Sequence, residues 1–452
     1  MKARCPQLNK SDFELLAPAG NFEKMKAAIR FGADAVYLAG KQFGMRSAAD
    51  NFTVEEIYKA VEYAHAHGKK VYLTLNTIPR TDEYPALYAF LEDIRNAGLD
   101  AAICTDLGVI ATVRERIPGL EIHISTQASI MSPAAARAYA DLGIKRLVLA
   151  RELTFPEIRA IRAAVPDDVE LEAFIHGSMC VSYSGRCLLA NEMNGRDGNR
   201  GTCSQPCRWG YVLYEEKRPN MPIPIEQTSQ GTFIMSSKDM CTISLIPELL
   251  HSGIRSFKIE GRMKSAYYAA VVTNTYRMAM DSYLADPDHY QLRPEWLEEL
   301  DSVSHRTYGT GFYEVSPMKD PQVVDVCGYI REKAYYAIAE PGDPEAVREE
   351  LERLNGQGIP LEAPEGKLVR FHQKNKVCAF ESVEILSPSR VGRPVTLGEL
   401  YNAEGERIDS APHPDMIFWC RIPFEIREGD IMRAGSGAGL QVRAPDVPKE
   451  CG

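Results

Sequence analysis

The chain lacks any apolar run long enough to cross a bilayer, and its opening, "MKARCPQLNKSDFELL", has none of the charged-then-apolar character of a secretory leader. A soluble, cytoplasmic protein with no membrane partner is expected. The commonest hydrolase signatures are missing too. Neither H-E-x-x-H nor G-x-S-x-G occurs, so the usual zinc-protease and serine-hydrolase constellations have no residues to stand on. Basic charge is in deficit, 52 Lys and Arg against 62 Asp and Glu for a net charge of −10, which excludes indiscriminate adhesion to nucleic acid but leaves room for a local basic patch. What remains is an ordinary globular balance: 452 residues, 45% hydrophobic and 25% charged, enough for two domains.

One unit recurs from the N-terminus onward, a helical stretch, a glycine and a short apolar strand: "RFGADAVYLAG", "NAGLDAAICTD", "DLGIKRLVLARE", "HSGIRSFKIEGR". A glycine closing a helix fits a left-handed C-cap, and a β-branched or leucine-rich run fits a strand buried on both faces. Eight strands are expected, at Glu14–Ala17, Ala35–Leu38, Lys70–Leu75, Ala101–Cys104, Glu121–Ser125, Arg146–Ala150, Glu170–Ile175 and Ser256–Glu260. Eight strand and helix units in roughly 270 residues match an α/β fold of the (β/α)8 TIM-like barrel type, with a doubly wound open sheet as the competing architecture. In a barrel, chemistry sits where strands end. The residues there include Asn76, Ser125 to Gln127, Arg151, Glu152, His176, Glu260 and Arg262, and each taken singly reads equally well as a cap or turn residue. The expected domains are a barrel over 1–290 with a Cys-rich insertion after strand 7 (176–242), a linker over 291–322, and a small C-terminal antiparallel β-barrel over 323–452, where short alternating strands such as "KVCAFESVEIL" begin.

The insertion holds Cys180, Cys187, Cys203 and Cys207, and Cys241 closes it; the other six cysteines, Cys5, Cys104, Cys327, Cys378, Cys420 and Cys451, are scattered and read as buried small residues or inert thiols. In a reducing compartment a local cluster of thiols binds metal or does chemistry more often than it forms disulfides. From Cys180 the successive steps are 7, 16, 4 and 34 residues. Structural zinc sites use close pairs on both sides of a linker, and only Cys203 and Cys207 make such a pair. Iron–sulfur clusters accept four thiolates at widely varying spacing and suit glycine-rich loops. Thiol chemistry would need a base, and His176 lies four residues from Cys180 at a strand end, a poor geometry for a dyad. Spacing alone leaves iron–sulfur, zinc and thiol chemistry all open.

At these residues the sequence resembles the collagenase-like peptidase family of unassigned catalytic type. The family signature E-x-F-x-x-G-[SA]-[LIVM]-C-x-x-x-x-G-x-C-x-[LIVM]-S is matched by Glu172, Phe174, Gly177, Ser178, Met179, Cys180, Gly185, Cys187 and Leu189, and departs only at Ala190, where the signature has Ser. "ELLAPAGN", "ADAVYLAG", "NRGTC", "SSKDMC" and "FKIEGRMKSAYYAAVVTNTYR" extend the likeness from Phe13 to Tyr276. The resemblance implies a [4Fe–4S] cluster on Cys180, Cys187, Cys203 and Cys241, with Cys207 as a spare that could exchange roles with Cys203. It also implies kinship with proteins that hydroxylate RNA or quinone precursors without oxygen. The single cysteine excursion and the C-terminal β module look most like the branch that forms 5-hydroxyuridine at the tRNA wobble position with prephenate as co-substrate. The alternatives are a collagenase-like peptidase, or hydroxylation of another RNA or a quinone precursor. Arg151, Glu260, Arg262 and His176 are the catalytic candidates, the arginines as binders of an anionic donor. Arg186, Arg196, Arg200, Arg208, Lys217 and Arg218 are candidates for tRNA phosphates or, equally, a solvated loop face. Any protein partner for electron transfer is undetermined.

Overall fold

The computed structural model describes residues 8–435 apart from 46–48, 181, 183, 185, 186, 209–213, 216, 217, 223–226, 229, 230, 233–236, 317–329, 331 and 332; of Asn199, Arg208 and the stretch 214–232 only backbone is described. Cys5, Cys327, Cys451, Gly185, Arg186 and Lys217, and the side chains of Arg208 and Arg218, therefore lie outside the described residues.

All eight expected strands form: β1 (Glu14–Pro18), β2 (Ala35–Leu38), β3 (Lys70–Leu75), β4 (Ala101–Cys104), β5 (Glu121–Ile124), β6 (Arg146–Val148), β7 (Glu170–Ser178) and, after β8 (Asp239–Cys241) in the insertion, β9 (Ser256–Ile259). They pair in parallel in that order, and β9 pairs with both β7 and β1. That last pairing closes the ring and removes the open-sheet alternative. The connecting helices are α1 (Phe22–Arg30), α2 (Val54–Ala66), α3 (Tyr84–Ile94), α4 (Leu107–Arg116), α5 (Pro133–Asp141) and α6 (Phe155–Ala164), then α7 (Leu189–Asn194) in the insertion, α8 (Ile246–Leu250) and α9 (Ala266–Ala285). Their starts are written in the sequence: the side chains of Asn21, Thr53, Asp106, Ser132 and Ser265 each accept a first-turn amide. The repeat glycines turn the chain back toward the sheet, as at Gly143 with φ +76°.

The barrel interior is apolar in its middle layer, with Leu16, Tyr37, Tyr72 and Ile103 packed on Ala35 and Ala101. Next to this layer lies an ionic lattice. Arg146 reaches Glu14, Glu170 (Nε to Oε2, 2.8 Å) and Glu172 (3.4 Å), while Lys258 Nζ donates to Glu172 Oε1 at 2.7 Å. The lattice ties β1, β6, β7 and β9 together, the strands on either side of the closure.

The chain divides into two compact units, one running to Leu292 and taking in the stretch from His305, the other taking Arg293–Ser304 and the chain from Ile330. The expected linker over 291–322 is thus corrected in its described part. Helix α10 (Pro294–Asp301) joins the second unit because its Glu299 receives both terminal nitrogens of Arg433 at 2.7 Å. Tyr308–Gly309 instead pairs with β8, and Tyr313 stacks on Phe155 of α6 at 5.1 Å. The second unit is an antiparallel sheet of nine described strands with helix α11 (Pro344–Gly356), built on a core that includes Phe371, Leu400, Phe418 and Met432.

Candidate active site

The strand ends expected to carry chemistry converge. Arg151, Glu260 and Arg262, together with Tyr37, Thr74, Asn76, Ser125, Phe174 and Lys258, line a cavity of about 50 Å³ at the barrel mouth. Its three cations are all buried. Arg151 donates to the Ser178 carbonyl at 2.9 Å and lies 5.3 Å from the Phe174 ring. Arg262 donates to the Met45 carbonyl, and Lys258 sits 4.4 Å above the Tyr37 ring. Tyr37 Oη is 3.3 Å from Glu260 Oε2. Among the described residues Thr74 Oγ1 is buried without a hydrogen-bond partner, a cost of about 1–3 kcal/mol that a bound polar group would relieve. A cationic space of this size takes a carboxylate or a few waters, since one water needs roughly 10–15 Å³. A nucleoside would have to meet the site from the open face of the barrel.

One residue of irregularity decides which side chains reach that face. In the β7 and β9 pairing, Lys258 lies opposite Phe174 and Ile259 opposite His176, so β7 carries an extra residue. Without the bulge Phe174 and His176 would point the same way. With it, Phe174 faces the cavity while His176 turns toward α9, its Nδ1 3.4 Å from Tyr276 Oη and its Nε2 3.5 Å from Tyr308 Oη. Burial pushes the His176 pKa down to about 3. His176 is therefore corrected as a catalytic candidate: it is buried between Tyr276 and Tyr308 and does not line the cavity. Just beyond the bulge Gly177, at φ +113°, passes so close to the Glu260 carbonyl that a Cβ would strike it.

The thiols fall into three places. Cys180 is exposed and lies two residues beyond Ser178, whose carbonyl accepts from Arg151. Burial alone would lower the Arg151 pKa, but the charges of Cys180, Glu152 and Glu260 hold it above its ordinary value. Cys187, Cys203 and Cys207 are half-buried around α7. Cys241 is buried elsewhere. It pairs opposite His176 in the antiparallel β7 and β8 ladder, faces α9 and lies 3.9 Å from Tyr276 Oη. Among the described residues no three His, Cys, Asp or Glu side chains stand within metal-binding reach of one another. The five thiols suit a [4Fe–4S] cluster in kind; no set of them is drawn together among the described residues, and Cys241 lies on the face of β7 that looks onto α9.

Several residues at or near the site were not singled out from sequence. Lys258 had a signal, a lone cation in the buried strand "SFKIE"; Thr74 and Tyr37 had none. Glu172, which opens the signature, works in the ionic lattice, and the Asp239 of "KDMC" receives Arg306 at 2.6 and 2.9 Å, both side chains buried. Of the basic candidates in the insertion, Arg196 is exposed and Arg200 pairs with Glu83. The scattered cysteines behave as expected where described: Cys104 is buried with its thiol pushed up to about 12, Cys420 is buried with its thiol raised, and Cys378 is half-buried. A larger groove, about 810 Å³, is lined wholly by the second unit and contains no cysteine.

Comparison with known proteins gives a consistent picture. The family model described as "Peptidase family U32" matches residues 20–322, and that described as "Peptidase family U32 C-terminal domain" matches residues 358–433. The chain is 38% identical over 423 residues to "tRNA hydroxylation protein P1" of Bacillus subtilis (strain 168), covering 93% of this chain and 94% of that one. It is 31% identical over 465 aligned positions to "tRNA hydroxylation protein P" of Escherichia coli (strain K12), covering 94% and 97%. It is also 34% identical over 316 residues to a protein named "Collagenase" from Porphyromonas gingivalis, covering 68% and 74%.

Proposed function

The chain belongs to peptidase family U32, and we propose that it is a tRNA hydroxylase that turns the C5–H of a wobble uridine into C5–OH without molecular oxygen, with prephenate as co-substrate and a [4Fe–4S] cluster as cofactor. The observation that carries the reading is the convergence of Arg151, Arg262 and Lys258 on one cavity at the barrel mouth, with Arg151 also donating to the carbonyl of Ser178, two residues before the exposed Cys180. An anion site and a thiol are thereby neighbours on the barrel mouth. The two relatives named as tRNA hydroxylation proteins, alike over more than nine-tenths of this chain, support tRNA as substrate.

In this reading Arg151 and Arg262 hold a carboxylate of the donor, with Lys258 supplying charge from below and Thr74 a hydroxyl. The cavity is too small for a nucleoside, so the uracil approaches from above, which an unpaired anticodon base can do at low unstacking cost. Replacing C5–H by C5–OH oxidises the base by two electrons, and the balance closes if the co-substrate gives up a hydroxyl and takes the displaced hydrogen, being reduced by the same two; a cluster held by the insertion's thiolates would supply one-electron chemistry when bound. Glu260, with Tyr37 beside its carboxylate, is the group placed to accept or return a proton at the mouth. Arg196 is available to phosphate on the exposed insertion.

The test is mass spectrometry of tRNA nucleosides from a strain deleted for this gene, complemented by wild type or Arg151→Met. Loss of 5-hydroxyuridine derivatives, restored only by wild type, is expected. Unchanged nucleosides in the deletion, together with no hydroxylation by anaerobically purified protein supplied with prephenate and tRNA, would refute the reading.

A further inference from the structure

We propose that Arg200 is a phosphate-binding residue for the RNA, that Glu83 occupies it until the RNA arrives, and that this pair straps the insertion across the barrel mouth. This deepens the reading that the substrate is RNA, on which it rests: it names the residue a strand must win before its base can reach the cavity.

The ring places the two partners on opposite sides. Glu83 lies in the turn Thr81–Glu83 between β3 and α3, and Arg200 in the turn Gly198–Arg200 of the insertion that leaves β7. Going round the barrel from β3 to β7, strands β4, β5 and β6 intervene on one side and β2, β1 and β9 on the other. Both segments follow the C-terminal ends of their strands, at the mouth, where Asn76 just after β3 and Phe174 of β7 line the cavity from facing sides. The ion pair between Arg200 and Glu83 therefore carries the insertion from one rim of the mouth to the far one.

The two ends of this strap are held very differently. At the root, the Ser184 amide donates to Glu152 Oε1 at 3.0 Å and its hydroxyl to Oε2 at 3.3 Å, while Ser237 Oγ donates to the Met179 carbonyl at 2.8 Å, and all of these residues are buried. At the far end the paired side chains are 29% and 36% exposed, and an ion pair so open to water contributes little and is readily exchanged. Glu83 is fixed from behind, its Oε2 accepting from the Arg80 amide at 2.6 Å. Arg200 is presented by a folded knot: the Asp197 carbonyl accepts from the Arg200 and Thr202 amides at 3.2 and 3.1 Å, and α7 ends just before it at Gly195, in the left-handed region with φ +68°. A guanidinium meets phosphate in the same forked geometry as carboxylate, so an RNA strand can take the place of Glu83 without leaving Arg200 unpartnered. The exposed Arg196 of the same segment adds a second cation for that strand.

The test is binding of a short stem-loop RNA with an unmodified uridine in its loop to the full chain, purified anaerobically, followed by fluorescence anisotropy across a potassium chloride series. Glu83→Gln, which keeps an oxygen for the Arg80 amide, frees Arg200 and should tighten binding about two- to fivefold, the range of an exposed ion pair. Arg200→Gln should weaken binding and lower the slope of log affinity against log salt by about one. In the double variant the Glu83 change should add nothing, because Glu83 acts through Arg200. Amide hydrogen exchange of the RNA-free chain over residues 187–207 should be faster in either single variant than in wild type, with unchanged circular dichroism. Tightening by Glu83→Gln that persists undiminished beside Arg200→Gln would make Glu83 a bystander charge and overturn the pairing, as would equal exchange in wild type and Glu83→Gln. Affinity and salt slope unmoved by Arg200→Gln would overturn the phosphate contact while leaving the RNA reading intact. Wild-type protein that binds no RNA would sink the RNA reading and the phosphate contact with it, and the strap would then stand or fall on the exchange comparison.

Discussion

Glu172 offers the sharpest test of how the barrel is held together. Its carboxylate is fully buried, with Oε1 2.7 Å from Lys258 Nζ and Oε2 3.4 Å from both Arg146 Nη1 and Ser256 Oγ. Glu172→Gln keeps the shape and removes the charge, leaving Lys258 a neutral amide oxygen and the faces of Tyr37 and Phe174 to offset its burial. Breaking one side of a buried ion pair costs about 3–5 kcal/mol. At about 2–4 °C per kcal/mol for a chain of this size class, the barrel transition should fall by roughly 6–20 °C in scanning calorimetry. The double change Glu172→Leu with Lys258→Met removes both charges, and exchanging a buried pair for apolar groups is commonly neutral or favourable, so it should unfold within about 2 kcal/mol of wild type. A Glu172→Gln loss under about 1 kcal/mol, or a double variant as unstable as the sum of the two single changes, would refute the lattice as the source of stability. The double variant also separates fold from function, because it stays folded yet lacks one cation of the cavity.

Arg151→Met should lower kcat/KM for the anionic co-substrate by about 10- to 100-fold, the loss of charge-assisted hydrogen bonds worth about 1.5–3 kcal/mol, with Arg151→Lys intermediate; anaerobic turnover against co-substrate concentration measures it. Acid should unfold the barrel in two stages. The His176 pKa is lowered by burial from 6.5 to about 3, so the unfolded chain binds the proton first, and stability falls as pH drops below 6.5 and goes on falling to about 3. Glu14 is also depressed, burial being outweighed by Arg146 and by hydrogen bonds from Arg146, Tyr72 and Ser256; its contribution is complete above the ordinary glutamate pKa and lost as pH falls through its folded value. Urea midpoints from pH 8 to 3 would show both stages, with Glu14→Gln flattening only the lower one. In the second unit, Arg433→Met leaves the buried carboxylates of Glu299 and Glu384 facing one another without their shared cation, and should cost that unit about 3–5 kcal/mol, visible as early proteolysis around α10.

The barrel was legible because each of its units is local: a capping side chain, a helix, a glycine and an apolar run each point to the same structure within some thirty residues. Arg151, Glu260 and Arg262 were legible for the same reason, since strand ends in this fold converge whatever their sequence. What failed to show was anything that depends on parity or on distant partners. His176 looked like a mouth residue because alternation was counted through a bulge. The linker failed likewise: Glu299 belongs with Arg433, a partner 134 residues away that no local pattern announces.

The ladder between β7 and β8 has a consequence for how such proteins diversify. Because the chain leaves the barrel at Ser178 and re-enters at Asp239, two residues that pair directly, the intervening segment hangs from a stem whose ends are already joined. Lengthening a loop with fixed ends costs little, about 0.6 kcal/mol per doubling. Exchange of the segment 179–238 is therefore expected to leave the barrel closed, at the expense of the contacts it makes to the body, such as Ser184 with Glu152 and Arg200 with Glu83. A chimera carrying a relative's segment on this stem inherits its thiols and its substrate-facing surface in one step, leaving the cationic cavity beneath as the fixed half of the machine.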